Sequence, residues 1–310
     1  MSVPTPAPLS ASTRYCAVYG QPIRHSASPA MQNAGLAALG LNWRYLAFEV
    51  APGHLRAAID GARAMGFIGL NLTVPHKLLA VDMVDLLDET ARTWGAVNTV
   101  RFEALDQTGT WRPLSAIADP AGLPIRAHGF NTDADAVTRA IREDLGLELA
   151  GARVVLLGAG GAGRTAALKL AAENVGALYL VNRTAARAAE LAAEIRRRFP
   201  DRPVSLGYPG PRETVDLVVN ATSLGLGPAD PAPLDGAAFA LTRAGAVYDM
   251  VYRPAETPLL KAARAAGCRA ANGLGMLLYQ GAKALELWSG RDPPIDEMRA
   301  ALQKNVYETS

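Results

Sequence analysis

A glycine-rich turn between two apolar runs is the feature that most restricts the fold of this chain. The run Val154 to Leu157 leads into Gly158, Gly160 and Gly163, which match the pattern G-x-G-x-x-G, and a second apolar run follows at Leu178 to Val181. Such glycines allow a tight turn and let a pyrophosphate reach a helix N-terminus, where unpaired N–H groups and the helix dipole favour anions. The order strand, turn, helix, strand therefore predicts a Rossmann-type dinucleotide-binding domain. The alternative is a glycine-rich turn in an α/β fold that binds no ligand.

The residues after the second run distinguish NADP from NAD. Folds that prefer NAD place an acidic residue about 20 residues beyond the glycines to bind the ribose 2′-hydroxyl, whereas a 2′-phosphate needs cationic and hydroxyl partners. The chain instead carries Asn182, Arg183, Thr184 and Arg187, with no carboxylate among them. We therefore expect NADP, although Arg183 and Arg187 are also what a solvated helix start looks like.

Three further apolar runs, at 203–208, 216–222 and 245–252, complete the predicted second sheet. Because ligands bind at the carboxyl ends of parallel strands, residues near these ends are candidates for the nicotinamide end of the cofactor. The predicted cofactor-binding residues are Gly158, Gly160, Gly161, Ala162, Gly163, Asn182, Arg183, Thr184, Arg187, Thr222, Met250, Gly273 and Met276.

Composition excludes several other functions. Lys and Arg number 31 against 29 Asp and Glu, without a basic cluster, which argues against nucleic-acid or membrane-surface binding. Cys16 and Cys268 are far apart and the four histidines show no metal-ligand spacing, so we expect no disulfide, no metal and a reducing cytoplasm. Residues 1–13 lack the apolar core of a signal peptide and are predicted to be a disordered tail.

Strand-like and helix-like segments alternate along the chain, which predicts an α/β protein with mostly parallel sheets. A length of 310 residues suggests two domains. The stretch from Glu103 to His128 is rich in turn-forming residues, and we interpret it as a surface excursion or hairpin.

Polar side chains recur in the first half where strands should end. Asn71, Thr73 and Lys77 occur in NLTVPHK, and the others are Ser26, Ser28, Asn98, Asn131 and Asp133. Together they offer hydroxyl and amide groups, an amine and a carboxylate, which suit a small polyhydroxylated ligand. Taken singly, Ser28 and Asp133 also fit helix N-caps, Asn98 a turn residue and Lys77 a solvated lysine.

The motifs SASPAMQN, NLTVPHK, GAVNT, GFNTD, GAGGAG, NRTAAR, NATSLG and YQGA occur in this order, and the chain resembles the shikimate dehydrogenase family from Tyr15 to about Trp288. The resemblance implies NADPH-dependent reduction of 3-dehydroshikimate to shikimate in aromatic amino acid biosynthesis. It implies a catalytic pair, Lys77 and Asp133, in which the lysine protonates the developing alkoxide and the carboxylate orients it. The implied substrate-binding residues are Ser26, Ser28, Asn71, Thr73, Asn98, Tyr252 and Gln280.

The resemblance also implies a discontinuous substrate domain, 14–132 and 277–310, around an NADP domain, 133–276, in a monomer or homodimer. Gln32 departs from the family pattern, which has His, and the Glu103 to His128 stretch is longer than expected. Quinate or aminoshikimate therefore stays open as the substrate, although Ser26, Ser28 and NRTAAR favour shikimate and NADP. Two rivals remain: another two-lobed dehydrogenase, such as a folate dehydrogenase, and a non-catalytic dinucleotide sensor.

Overall fold

A computed structural model describes residues 8–227 and 229–308 of the chain. The chain divides into two compact units. One comprises the residues up to Thr132 together with those from Leu278 onward, and the other runs from Asp133 to Leu277.

The first unit contains a seven-stranded sheet. Its strands are β1 (Arg14–Gly20), β2 (Trp43–Glu49), β3 (Gly69–Leu72), β4 (Leu86–Leu87), β5 (Thr99–Leu105), β6 (Trp111–Pro113) and β7 (Ile125–Phe130). Its helices are α1 (Ser28–Ala38), α2 (Leu55–Ala64), α3 (His76–Leu79) and α4 (Glu89–Trp94), with 3-10 turns at Pro52–His54, Ala80–Asp82 and Leu114–Ala116. The strand order is β2-β1-β3-β5-β7-β4, with β6 paired to β5.

This first sheet is mixed, so the expectation of a mostly parallel sheet is wrong for it. β1 pairs in parallel with β2 and β3, and β4 with β7. β5, however, is antiparallel to β3, β6 and β7. Part of the reason is that the short loop 106–110 joins β5 and β6 as a hairpin, and such a connection reverses the chain direction.

The second unit has a wholly parallel six-stranded sheet of order β10-β9-β8-β11-β12-β13. The strands are β8 (Arg153–Leu157), β9 (Ala177–Val181), β10 (Val204–Leu206), β11 (Val215–Asn220), β12 (Ala244–Asp249) and β13 (Arg269–Asn272). The helices are α5 (Asp133–Leu145), α6 (Gly161–Ala172), α7 (Ala185–Arg198) and α8 (Pro258–Ala265), with a 3-10 turn at Leu241–Arg243. Numbered from β8, this is the order 3-2-1-4-5-6 of a Rossmann fold, which confirms the predicted fold class.

Two more helices close the chain. α9 (Leu274–Ser289) begins in the second unit and continues into the first, and α10 (Ile295–Gln303) is followed by a π-helical turn, Lys304–Glu308. Trp288 of α9 donates from Nε1 to the Val100 carbonyl at 2.9 Å. A Cβ at Gly69 would lie 2.1 Å from that Nε1, so only glycine there lets α9 pack against the first sheet.

Three local expectations need correction. The predicted disordered tail is ordered from Ser10 onward, because Thr13 donates to the Ser10 carbonyl at 3.0 Å and to the Asn42 side chain at 3.1 Å; residues 1–7 lie outside the described part. The hairpin expected within 103–128 is confirmed by the antiparallel pair β5 and β6, but the end of this stretch enters β7, which lies between β5 and β4 in the sheet. Ser28 is not an N-cap, since Ala27 occupies that position and no side chain caps α1.

Candidate functional site

The motif NLTVPHK spans the end of one strand and the start of a short helix. Asn71 lies within β3 and is 5% exposed, Thr73 follows the strand and is half-buried, and Lys77 is the second residue of α3. The Lys77 carbonyl accepts from the Val97 N–H at 2.8 Å, which ties α3 to the chain before β5. The lysine therefore sits on a backbone that is held at both ends of the motif.

The Asn71 amide is engaged on both sides. Its Oδ1 accepts a 2.7 Å hydrogen bond from the Tyr45 hydroxyl, and its Nδ2 donates to the Asn98 carbonyl at 3.2 Å and to Thr99 Oγ1 at 3.0 Å. These contacts fix which end of the amide carries the oxygen. Oδ1 thus accepts one of the two hydrogen bonds that an amide oxygen can accept.

Asn98 continues this network towards α9. Its Nδ2 donates to Thr132 Oγ1 at 2.9 Å, and its Oδ1 accepts from the Thr132 N–H at 2.7 Å. Thr132 Oγ1 in turn donates to the Gln280 carbonyl at 3.0 Å. Asn131, from the same sequence motif, instead donates to the Ala96 carbonyl at 3.1 Å. Its side chain therefore has a structural partner close by.

The two serines contact each other. The Ser28 N–H donates to Ser26 Oγ at 3.3 Å. A separate, continuous chain of hydrogen bonds joins three of the seven predicted substrate-binding residues, namely Asn71, Asn98 and, through its main-chain carbonyl, Gln280.

A cavity of about 620 Å³ opens at the carboxyl ends of β1 and β2. Ser26 lines it together with Gln21, Arg24, Glu49 and His54. Ser26 is part-exposed whereas Ser28 is buried, so of the serine pair it is Ser26 that faces open space.

The glycine turn lies between β8 and α6, as predicted. Gly158 has φ +106°, and a Cβ at Gly163 would lie 2.2 Å from the Gly158 carbonyl oxygen, so both positions require glycine for the turn itself. At Gly160 and Gly161 no described atom lies within 4 Å of such a Cβ. These two glycines therefore leave open space at the N-terminus of α6.

The end of β9 carries the residues expected to select NADP. Asn182 accepts from the Ala159 N–H at 3.0 Å and donates to the Thr184 carbonyl at 2.8 Å, which joins the glycine turn to the start of α7. Arg183, Thr184 and Arg187 are all exposed.

A polar network, of whose side chains only Thr222 was predicted from the sequence, organises the loops after β11 and β12. Asn220 accepts from the N–H and hydroxyl of Thr222 at 3.0 and 2.8 Å and donates to Asp249 Oδ1 at 2.8 Å. Asp249 also accepts from the Val251 N–H at 3.0 Å and the Thr257 hydroxyl at 2.6 Å. Burial raises the pKa of Asp249, and these three donors act against that rise.

The remaining predicted cofactor residues lie near the same loops. Met250 donates from its N–H to the Asn220 carbonyl at 2.9 Å. A Cβ at Gly273 would lie 2.1 Å from the Met250 carbonyl oxygen, so the chain before α9 packs on the Met250 backbone. Met276 donates from its N–H to the Tyr248 hydroxyl at 3.3 Å. Thr222, Met250, Gly273 and Met276 thus belong to one connected region.

Asp133 is the first residue of α5 and is 6% exposed, and Tyr252 follows β12 and is half-buried. Both belong to the second unit, whereas Lys77 belongs to the first.

Three family models match the chain. The shikimate dehydrogenase substrate binding domain matches residues 18–100, the shikimate / quinate 5-dehydrogenase model matches 140–223, and the shikimate 5'-dehydrogenase C-terminal domain matches 273–303. A shikimate dehydrogenase (NADP(+)) of Moorella thermoacetica is 44% identical over 309 residues, which cover 97% of each chain. This chain belongs to the shikimate dehydrogenase family.

Solved structures of the family share the whole architecture. A shikimate dehydrogenase in complex with NADP+ is 33% identical, with a TM-score of 0.81 and coverage of 98% of this chain and 99% of that one. A quinate dehydrogenase of Corynebacterium glutamicum in complex with NAD is 31% identical, with a TM-score of 0.77 and coverage of 94% and 99%. Overall likeness therefore spans relatives that differ in substrate and cofactor, and side chains have to distinguish between them.

The chain's own residues fit the dinucleotide of this family. Open space at Gly160 and Gly161 adjoins the first turn of α6, whose N–H groups lack intrahelical partners. The exposed Arg183 and Arg187 provide positive charge at the end of β9, where a 2′-phosphate would need it. Within the described residues no helix is long and apolar enough to cross a membrane, and no group of His, Cys, Asp and Glu has the arrangement of a metal site.

Three residues of the site went unrecognised in the sequence. Tyr45 is 1% exposed and lies in β2, where an aromatic residue is typical of the hydrophobic core. Its hydroxyl could have indicated a polar role, because a buried tyrosine hydroxyl needs a hydrogen-bond partner. Thr132 and Asp249 lie directly beside predicted residues, and they are buried polar side chains at strand ends. Their partners come from distant parts of the chain, which no local pattern shows.

Proposed function

We propose that this protein is an NADP-dependent shikimate dehydrogenase, an oxidoreductase acting on a CH–OH group, that interconverts 3-dehydroshikimate and shikimate. The observation that carries the proposal is the hydrogen-bonded chain from Tyr45 through Asn71 and Asn98 to the Gln280 carbonyl. It holds the side-chain amides of Asn71 and Asn98, which suit a ring with several hydroxyls, in a family whose curated members include NADP-dependent shikimate dehydrogenases.

In this proposal the first unit binds substrate and the second binds NADP. The proposed substrate-binding residues of the first unit are Ser26, Ser28, Asn71, Thr73, Asn98 and Gln280. Tyr252, which belongs to the second unit, is also a proposed substrate-binding residue. The bound cofactor supplies or accepts a hydride. Each polar group pre-positioned by the protein lowers the ordering cost of binding the ring.

Lys77 and Asp133 divide the proton chemistry. Hydride addition to a ketone produces an alkoxide, which needs a proton from a positioned acid. The ammonium of Lys77 carries that proton, and in the reverse direction its neutral amine accepts the proton from the shikimate hydroxyl. Asp133, as a carboxylate, stabilises the ammonium and orients its N–H groups.

Quinate and aminoshikimate are the alternative substrates, whereas the site residues argue against two other functions. Quinate and aminoshikimate differ from shikimate in a group on the ring, and the similarity to a quinate dehydrogenase supports quinate as an alternative. A folate dehydrogenase would not need the serine pair or Gln280. A dinucleotide sensor would have no use for the amine of Lys77 and the carboxylate of Asp133.

The NADP assignment is supported by Arg183 and by the absence of a carboxylate next to it.

Absorbance at 340 nm tests the proposal. Purified protein is offered shikimate and quinate separately, each with NADP and with NAD. Reduction with shikimate and NADP is the expected result, and activity only with quinate or only with NAD contradicts it. Absence of activity with all four mixtures would favour an amino analogue or the sensor.

We also propose a cytoplasmic location and a monomer or homodimer. Free, buried Cys16 and Cys268 suit a reducing compartment. Light scattering on a sizing column measures the assembly, and a disulfide-linked or higher species would contradict it.

A further inference from the structure

The hydroxyl of Tyr45 contacts one of the proposed substrate-binding residues. It donates to Asn71 Oδ1 at 2.7 Å. Tyr45 is itself 1% exposed, so it does not present a surface to a ligand. Its ring lies 6.1 Å from that of Trp288, centroid to centroid, which anchors the tyrosine against α9.

The amide of Asn71 has little freedom apart from this hydroxyl. Both hydrogens of its Nδ2 are used, on the Asn98 carbonyl and on Thr99 Oγ1. Loss of the tyrosine hydroxyl would leave Oδ1 buried beside an apolar ring, and the amide would then reorient or take in water. Either response moves the amide group of a proposed substrate-binding residue.

We propose that Tyr45 is a positioning residue of the substrate site, which acts by fixing the Asn71 amide before substrate binds. The proposal rests on the proposed function, because it takes Asn71 as a substrate-binding residue. Its consequence is that the tyrosine hydroxyl contributes to substrate affinity although it touches no substrate.

Tyr45→Phe tests this, since it removes the hydroxyl and keeps the ring packing. We expect the KM for shikimate and the Kd for shikimate, measured by calorimetry without cofactor, both to rise about tenfold, while the KM for NADP changes less than about twofold. The matched control is Tyr279→Phe. It also removes a buried hydroxyl from a hydrogen bond, the 2.6 Å contact from Arg299, within the same unit. This control should lower the melting temperature without changing the KM for shikimate.

A double-mutant cycle separates positioning from a general loss of stability. If Tyr45 acts through Asn71, then Tyr45→Phe combined with Asn71→Ala raises the KM by less than the product of the two single effects. A simple product of the two effects would overturn the proposal, as would an unchanged KM and Kd in Tyr45→Phe. Should Tyr45→Phe not fold, Thr99→Val removes another partner of Asn71 and is expected to raise the same KM.

A failure of the proposed function can be distinguished from a failure of this inference. If the proposed function is wrong, the wild-type protein itself neither binds shikimate in the calorimeter nor oxidises it with NADP. If the wild type binds and oxidises shikimate but Tyr45→Phe leaves the KM and Kd unchanged, only the role of Tyr45 is rejected.

Discussion

The side chain of Asn98 holds Thr132 from two directions, with Nδ2 donating to its hydroxyl at 2.9 Å and Oδ1 accepting from its main-chain N–H at 2.7 Å. Thr132 directly precedes Asp133, the first residue of α5. The proposed binding residue Asn98 therefore also fixes the main chain next to the proposed catalytic carboxylate. Asn98 therefore has a structural role, in holding Thr132, as well as its proposed role in substrate binding.

Lys77→Ala should reduce turnover by about 10²–10⁴-fold, because the alkoxide loses its proton donor. The affinity for NADP should stay within about twofold of wild type, since Lys77 lies in the first unit and the glycine turn in the second. Steady-state rates with shikimate and titration of NADP measure both. Lys261→Ala, at an exposed position of α8, is the control. Near-normal turnover of Lys77→Ala would remove the lysine from the mechanism.

Arg183→Ala should raise the KM for NADP about tenfold or more and leave the KM for NAD almost unchanged, because only NADP carries the 2′-phosphate. Arg197→Ala, an exposed arginine in the last turn of α7, controls for the loss of positive charge. An equal rise in the KM for both cofactors would show that Arg183 does not bind the 2′-phosphate.

Gly160→Ala and Gly163→Ala should affect the protein differently, the first in NADP binding alone and the second in stability as well. A Cβ at Gly160 meets no described atom within 4 Å, so this variant should keep its melting temperature but bind NADP at least about tenfold more weakly. A Cβ at Gly163 would lie 2.2 Å from the Gly158 carbonyl oxygen, so that variant should be destabilised as well. Thermal melts and NADP titrations together check the distinction. Unchanged NADP binding in a folded Gly160→Ala protein would contradict a pyrophosphate at this turn.

Glu103 should make the stability of the protein sensitive to acid. Burial by itself raises the pKa of Glu103, but hydrogen bonds from His128, Arg101 and Arg126 outweigh this effect and lower the pKa to about 2. Since this lies below the ordinary value of 4.5, the stabilisation is present above about pH 4.5 and is lost as the pH falls towards 2.

Glu103→Gln should therefore cost about 3 kcal/mol in the free energy of unfolding at neutral pH, because the part-buried Arg101 and Arg126 lose their charged partner. Urea unfolding at pH 7 and pH 4 measures this cost, with exposed Glu190→Gln of α7 as the control. A variant as stable as wild type at pH 7 would show that the cluster contributes no net stability.

The sequence predicted the second unit more completely than the first. Local signals indicate most of it, because glycines at 158, 160 and 163 impose a turn and β8 to β12 follow apolar runs, but the edge strand β13, Arg269–Asn272, is not an apolar run and was missed. The first sheet was misjudged at β7, whose residues 125–130 mix glycine, histidine and arginine with apolar residues. Its place between β5 and β4 depends on pairing across the sheet, which local composition does not encode.

The candidate site divides in the same way. The sequence by itself determined the candidates for the site, since the motifs NLTVPHK and GFNTD contain Asn71, Lys77 and Asp133, whose roles we propose. Only the tertiary structure decided how those groups are held. Tyr45 and Asn71 are 26 residues apart and Asn98 and Thr132 are 34 apart, and hydrogen bonds between them form only when the strands pair. The physical reason is that a hydrogen bond requires distance and direction in three dimensions, whereas a sequence pattern fixes only the kind of group and its place along the chain.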